Sequence, residues 1–117
     1  TGTIYNAANG YIYVANSGSN TISVINGTTN TVVATVHVGT GPNGITYNSN
    51  NGEIYTANSI SGTISVIDGL SNTVSQTISL ATSPNAITYN SSDDSIYVTN
   101  MGSDTVSAIS NISSSSK

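Results

Sequence analysis

Along the whole chain, short runs of β-branched and aromatic residues alternate with clusters of Gly, Asn, Ser and Asp. No stretch keeps the roughly 3.6-residue apolar period of a helix over a useful length, so the pattern predicts strands and turns throughout. The middle of the chain shows it in full. Asn43 to Asn48, Glu53 to Asn58, Thr63 to Asp68 and Thr73 to Leu80 are the predicted strands of an antiparallel meander, separated by Ser49-Asn50-Asn51-Gly52, Ser59-Ile60-Ser61-Gly62 and Gly69-Leu70-Ser71-Asn72. Because successive side chains of a strand point to opposite faces, alternation assigns sides. Val74, Ile78 and Leu80 are expected to share one face against Thr73, Ser75, Thr77 and Ser79, and upstream Val32, Ala34, Val36 and Val38 to oppose Thr31, Val33, Thr35 and His37. Ile64 and Val66 face one way and Ile67 the other, so the inner strands are expected to be buried on both sides.

These runs recur with a fixed offset of 42 residues. Ile12-Tyr13-Val14-Ala15-Asn16 returns as Ile54-Tyr55-Thr56-Ala57-Asn58 and as Ile96-Tyr97-Val98-Thr99-Asn100, and Thr21-Ile22-Ser23-Val24-Ile25-Asn26 returns as Thr63 to Asp68 and Thr105 to Ser110. Tyr5, Tyr47 and Tyr89 align, as do Pro42 and Pro84. Fixed self-similarity at this period marks a stack of supersecondary units, none of which buries its apolar faces alone. A sheet buried on both faces, with a more polar outer strand, is the blade of a β-propeller. The expected fold is all-β, a partial β-propeller of four-stranded antiparallel blades amounting to about 2.75 units. Blade 1 is expected over 1–42, blade 2 over 43–84, an incomplete blade 3 over 85–112, and a Ser-rich tail over 113–117. Turn chemistry fits this division. Asn9-Gly10 and Asn51-Gly52 are hairpin dipeptides in which both residues tolerate positive φ, with Asp93-Asp94 in the same place, and Asn26-Gly27 and Asp68-Gly69 mark the next corner.

The motif Ile96-Tyr97-Val98-Thr99-Asn100 and its variants resemble the signature of the YVTN family of β-propeller repeats. So do the Thr-Ile-Ser-Val-Ile strand that follows and the Pro-Asn-Gly/Ala-Ile-Thr-Tyr run that opens the next unit. The resemblance covers residues 1 to about 112. It implies a propeller of the kind found in archaeal surface-layer proteins and in bacterial secreted or cell-surface proteins, usually closed by seven blades in one chain. No run like Thr31 to Val38 follows Ser110, so the last unit is expected to lack its outer strand, and an apolar face is expected to stand open at each end of the arc. Either the arc continues in a longer chain or copies associate to cover those faces.

Charge narrows the partners. One Lys or Arg (Lys117) stands against five acids (Glu53, Asp68, Asp93, Asp94, Asp104), which excludes the basic stripe that nucleic acid or an anionic membrane surface requires. No run approaches the ~20 apolar residues that span a bilayer. With no Cys there is neither a disulfide framework nor a thiolate metal site. The scarcity of charge, the abundance of Ser, Thr and Asn, and three sequons at Asn26, Asn90 and Asn111 lean toward an extracellular or cell-surface location, with these three as candidate N-glycosylation sites.

No catalytic set emerges. His37 is the one histidine and is read as a solvated outer-strand residue; Asp93 and Asp94 are adjacent in a turn, where side chains diverge, with weak Ca²⁺ binding as the rival reading. Gly39-Thr40-Gly41 lacks the Lys-Ser/Thr of a phosphate loop and reads as an inter-blade linker. Asn16, Asn58 and Asn100 recur with the unit and are read as structural, their amides satisfying backbone groups at the hairpin, rather than as ligand-binding. Tyr13, Tyr55 and Tyr97, with Tyr5, Tyr47 and Tyr89, are read as packing between blades rather than as a carbohydrate-stacking surface. No catalytic, cofactor or metal residue is assigned. The expected function is a non-enzymatic extracellular module that contacts protein or cell-envelope components, further blades or copies of itself, without nucleic acid and without direct membrane insertion. Two alternatives stand beside it: a fragment of a propeller enzyme or cofactor protein whose active residues lie in other blades, and a self-assembling cell-surface ring or filament subunit.

Overall fold

The fold was obtained as a computed structural model that describes residues 2–80 and 83–110. The expected end of blade 3, the Ser-rich tail and the Asn111 sequon lie outside the described residues. Three antiparallel sheets follow one another along the chain. The first is β1 (Thr3–Asn6), β2 (Tyr11–Asn16), β3 (Thr21–Asn26) and β4 (Thr31–His37). The second is β5 (Pro42–Asn48), β6 (Glu53–Asn58), β7 (Thr63–Asp68) and β8 (Thr73–Ser79), and the third is β9 (Pro84–Asn90), β10 (Ser95–Asn100) and β11 (Thr105–Ser110). Every sheet is a meander with its strands in sequence order.

Each hairpin has a four-residue loop whose last residue is left-handed: Gly10, Asn20, Asn30, Gly52, Gly62, Asn72, Asp94 and Asp104. Its N–H closes the loop onto the carbonyl of the residue that ends the strand, as from Gly10 to Asn6 (2.8 Å), Asn30 to Asn26 (2.8 Å) and Asn72 to Asp68 (2.8 Å). This corrects the dipeptide expectation. Asn9, Asn51, Gly27 and Gly69 do not take positive φ, because the loop is four residues long and needs the left-handed conformation once, at its fourth place.

A row of side chains repeats across the sheets. Tyr47, Ile54, Ile67 and Val74 are neighbours in register, and Tyr89, Ile96 and Ile109 form the same row one sheet later. The row of the second sheet packs against Tyr13, Ala15, Ile22, Val24 and Val36 of the first. That of the third packs against Tyr55, Ala57, Ile64 and Val66 of the second. The inner strands of the middle sheet are thus buried on both faces.

The alternation expected for the outer strands is corrected by a bulge. Val24 pairs with Ala34 but Ile25 pairs with Val32, and Val66 pairs with Gln76 but Ile67 with Val74, so an extra residue (Val33, Ser75) flips the phase. Val74 therefore lies on the face opposite Ile78 and Leu80, and Val32 opposite Ala34 and Val36.

The sheets fan out. First strands of neighbouring sheets run against each other, β1 on β5 and β5 on β9, whereas the fourth strands β4 and β8 barely meet. Close approach at the inner side depends on glycine: a Cβ on Gly2 would stand 2.8 Å from the Asn43 carbonyl, which Gly2 N–H already uses at 2.9 Å, and one on Gly44 would run into the Asn85 backbone. Asn43 donates to Asn85 in the same region.

The two-sided core makes a repeat-matched test. Ile67, fully buried, and Ile25, at the same position on the open face of the first sheet, should respond differently to truncation. Ile67→Ala is expected to cost about 2–5 kcal/mol in urea unfolding and Ile25→Ala less than half of that; equal losses would contradict the stacking described.

Candidate functional site

The polar residues that recur with the unit gather at the two ends of the sheets. At the end of the β2–β3, β6–β7 and β10–β11 hairpins, Asn58 Nδ2 donates to Thr63 Oγ1 (3.0 Å) and Ser65 Oγ (2.9 Å), and Ser61 Oγ shares a bond with Thr63 Oγ1 (3.0 Å). Asn16 makes the same bonds to Thr21 (3.3 Å) and Ser23 (2.8 Å), and Asn100 to Thr105 (3.3 Å) and Ser107 (2.9 Å). Antiparallel register puts each Asn directly opposite its Thr. The amides thus reach side-chain hydroxyls, not the backbone groups expected for them. A motif Asn-x-x-Ser-x-Thr-x-Ser carries the network and is readable at 16–23, 58–65 and 100–107, though it stands out only once the pairing is known. Asn58 and Asn100 are almost fully buried, and their Oδ1 atoms have no protein partner.

The connector between the first two sheets lies over this network. Thr40 N–H donates to Ser61 Oγ (3.1 Å), Gly41 N–H to Asn20 Oδ1 (3.0 Å), and Ser59 N–H and Oγ–H to the Gly41 carbonyl (2.9 and 3.0 Å). A Cβ on Gly39 would stand 2.6 Å from Ser61 Oγ and 2.8 Å from Asn58 Nδ2, so the residue there has to be glycine for the connector to close down. Gly39-Thr40-Gly41 clamps one sheet to the next. The following connector repeats one bond, Met101 N–H to the Ser83 carbonyl at 2.9 Å.

Tyrosine hydroxyls and acids occupy the opposite end. Tyr13 and Tyr55 are fully buried. Tyr13 O–H donates across the sheets to Asn72 Oδ1 (2.9 Å), and Tyr55 O–H to Glu53 Oε1 (3.2 Å). Burial pushes both phenols above their ordinary range. In the third unit Tyr97 O–H donates to Asp93 Oδ2 (2.6 Å) and Tyr89 O–H to Asp94 Oδ1 (2.8 Å). The two carboxylates serve different phenols. The bond to Asp93 raises Tyr97, and burial followed by the bond to Asp94 pushes Tyr89 up to about 12. Tyr47 and Tyr89 are half-buried between sheets, whereas Tyr5 is exposed on the outer face of the first.

The two sequons within the described residues lie at this acidic end. Thr28 N–H donates to Asn26 Oδ1 (2.8 Å) and Ser92 N–H to Asn90 Oδ1 (2.9 Å), each an Asx turn at the start of an exposed loop. Glu53, Asp68, Asp93 and Asp94 also lie here, while Asp104 and the exposed His37 sit at the other end. Among the described residues no three His, Cys, Asp or Glu converge as a metal site would require.

No family model matches the chain. Over 36 residues it is 56% identical to the PE-PGRS family protein PE_PGRS18 of Mycobacterium tuberculosis, a match that covers 31% of this chain and 8% of that protein. Solved structures resemble it over most of its length. The WD40 β-propeller domain of Doa1 matches with a TM-score of 0.76 at 19% identity, covering 90% of this chain and 34% of that one. Hydrazine synthase of Kuenenia stuttgartiensis gives 0.74 at 19% identity over 78% and 26%, and the Cps50 (Swd1) β-propeller domain of Myceliophteria thermophila gives 0.70 at 7% identity over 84% and 30%. The chain thus spans about a third or less of these structures. At such identities the likeness shows the fold alone: this is an all-β arc of a β-propeller.

The phenol–carboxylate pair predicts a pH response. Tyr89 is raised in the folded protein to about 12 from its ordinary value of about 10, so its contribution is fully present below pH ~10 and is lost as pH rises through about 12, where the unfolded chain ionises first. Asp94→Asn should lower the Tyr89 midpoint in a titration followed by ¹³C-tyrosine NMR; an unchanged midpoint would remove Asp94 from the account.

Proposed function

We propose that this chain is a non-enzymatic structural and interaction module of the YVTN type, a segment of a surface-layer-like β-propeller scaffold that works outside the cell. One observation carries the reading: the polar side chains that recur with the unit are engaged in holding the scaffold together. Asn16, Asn58 and Asn100 hold their own hairpins, and Tyr13 ties one sheet to the next. What the scaffold then offers to a partner is its loops, which are short, polar and positioned by rigid sheets.

The motif Tyr-Val/Thr-Ala/Thr-Asn at constant period supports the YVTN reading, and the sequons at Asn26 and Asn90, both on one end, support the extracellular one. The same end carries most of the negative charge, so its partners are protein or cell-envelope components rather than polyanions. The test uses envelopes isolated from the source organism. Labelled chain is expected to bind them saturably and to be displaced by unlabelled chain, and antibody against it should label intact cells. Binding no greater than that of serum albumin, together with labelling only after lysis, would overturn the proposal.

A further inference from the structure

An Asn followed by Gly is the dipeptide most prone to attack by its own backbone, because no side chain shields the glycine nitrogen from the carboxamide carbon. The chain has four such pairs: Asn9-Gly10, Asn26-Gly27, Asn43-Gly44 and Asn51-Gly52. Their surroundings differ. Gly10 and Gly52 are left-handed (φ 77° and 78°), and their N–H groups close the hairpin loops onto the carbonyls of Asn6 and Asn48 at 2.8 Å each. Their Asn partners are tied as well, Asn9 Nδ2 to the Gly69 carbonyl (3.4 Å) and Asn51 Nδ2 to Glu53 Oε1 (2.9 Å). Asn43 lies within β5, where its Nδ2 donates to Asn85 Oδ1 and Gly44 is pressed onto the Asn85 backbone.

Asn26-Gly27 is held by less. Gly27 is exposed and does not take positive φ, and its N–H reaches sideways to the Gly10 carbonyl of the neighbouring loop at 3.1 Å. The second unit shows that the fold does not need this bond. Gly69 of Asp68-Gly69 lies against Gly52 in the same way, yet its N–H makes no hydrogen bond within the described residues. Freeing Gly27 N–H therefore leaves its loop closed by Asn30 N–H on the Asn26 carbonyl (2.8 Å), whereas freeing Gly10 or Gly52 breaks the closure itself. The Asn26 side chain is also placed for attack. Thr28 N–H donates to its Oδ1 at 2.8 Å, which folds the carboxamide back over the Gly27 peptide, and its Nδ2 has no partner among the described residues.

We infer that Asn26-Gly27 is a site of intrachain deamidation and that folding protects the other three pairs. In mildly alkaline water the Gly27 nitrogen gives its proton to hydroxide and forms a bond to Asn26 Cγ. The Cγ–Nδ2 bond then breaks, and Nδ2 takes a proton from water and leaves as ammonia. Water opens the resulting succinimide at either carbonyl, which yields Asp or isoAsp. While negative charge gathers on Oδ1, Thr28 N–H is already aimed at it. Either product adds a carboxylate to the end that holds Glu53, Asp68, Asp93 and Asp94, and isoAsp also lengthens the backbone where β3 ends. Asn26 opens a sequon too, so a glycan and this reaction compete for the same nitrogen. The inference goes beyond the extracellular reading and does not rest on it.

Timed peptide mapping by mass spectrometry tests the inference on the whole chain, produced without glycan and kept in mildly alkaline buffer. Each pair is followed in the folded chain and again in urea, and the folded rate is divided by the urea rate of the same peptide to remove the influence of neighbouring residues. The ratio for Asn26 is expected to exceed those for Asn9, Asn43 and Asn51 by at least about fivefold, since the bonds that hold these three have to open first. Both isoAsp and Asp should appear at Asn26. A ratio at Asn9, Asn43 or Asn51 equal to that at Asn26 would overturn the inference. So would a folded chain whose Asn26 stays intact while the chain in urea converts fully. Asp as the sole product would exclude the succinimide and overturn it as well.

Discussion

Everything in this molecule depends on burying one sheet against the next. A four-stranded sheet of this size has an apolar row on each face, and each large aliphatic side chain taken out of water contributes about 1.5–3 kcal/mol. Standing alone, a unit would leave both rows in solvent and could not offset its backbone entropy. In the stack, Ile54 and Ile67 fill one side of the middle sheet and Ile64 and Val66 the other, and all four are fully buried. The fan shape follows from the same contact. Because Gly2 and Gly44 let the first strands approach within backbone distance while β4 and β8 stay apart, each sheet is rotated relative to the last about an axis near its first strand.

The polar residues then solve problems that the stacking creates. Hairpins pressed against neighbouring sheets need their ends tied without charge, and the Asn, Thr and Ser side chains do this with bonds of 2.8–3.3 Å inside each unit. A buried amide is costly when unpaired, and the two hydroxyls that take the Asn58 Nδ2 protons offset the desolvation of its NH₂ half, while Oδ1 has no protein partner. The connector adds a clamp over the same spot, which is why Gly39 has no room for a side chain. At the other end, Tyr13 places an apolar ring in the core and a hydroxyl at the rim, where Asn72 of the next sheet receives it.

Much of this was legible in the sequence because the unit repeats. The 42-residue offset turns a weak strand pattern into the same observation made three times, and the double burial of the inner strands was visible in Ile64, Val66 and Ile67. The bulge was not legible. In Val32-Val33-Ala34 all three residues are apolar, and in Val74-Ser75-Gln76 nothing distinguishes an inserted residue from an alternating one, so the flip of face emerges only from the pairing with Val24 and Ile25. The loops misled for a related reason. Asn-Gly pairs are strong signals for two-residue turns, yet Asn20, Asn30 and Asn72 take the left-handed position of longer loops with no glycine at that place. The hydroxyl network needed both pieces together, since Asn58 meets Ser65 only when the hairpin register sets Asn58 opposite Thr63.

The third unit shows how uneven the constraint is within one sheet. Its Ile96 and Ile109, which face the second sheet, are the same residues as Ile54 and Ile67, whereas on its other side Ala57, Ile64 and Val66 have become Thr99, Val106 and Ala108. A covered face has to keep its volume, because a lost methylene leaves a cavity that rigid neighbours cannot close. The other side, on which no described residue packs as the second sheet does on the first, carries instead a hydroxyl bonded to its own backbone at Ala86. Stability in such an array is a sum over nearest-neighbour interfaces, and among the described residues the middle sheet makes two of these and the sheets on either side of it one each.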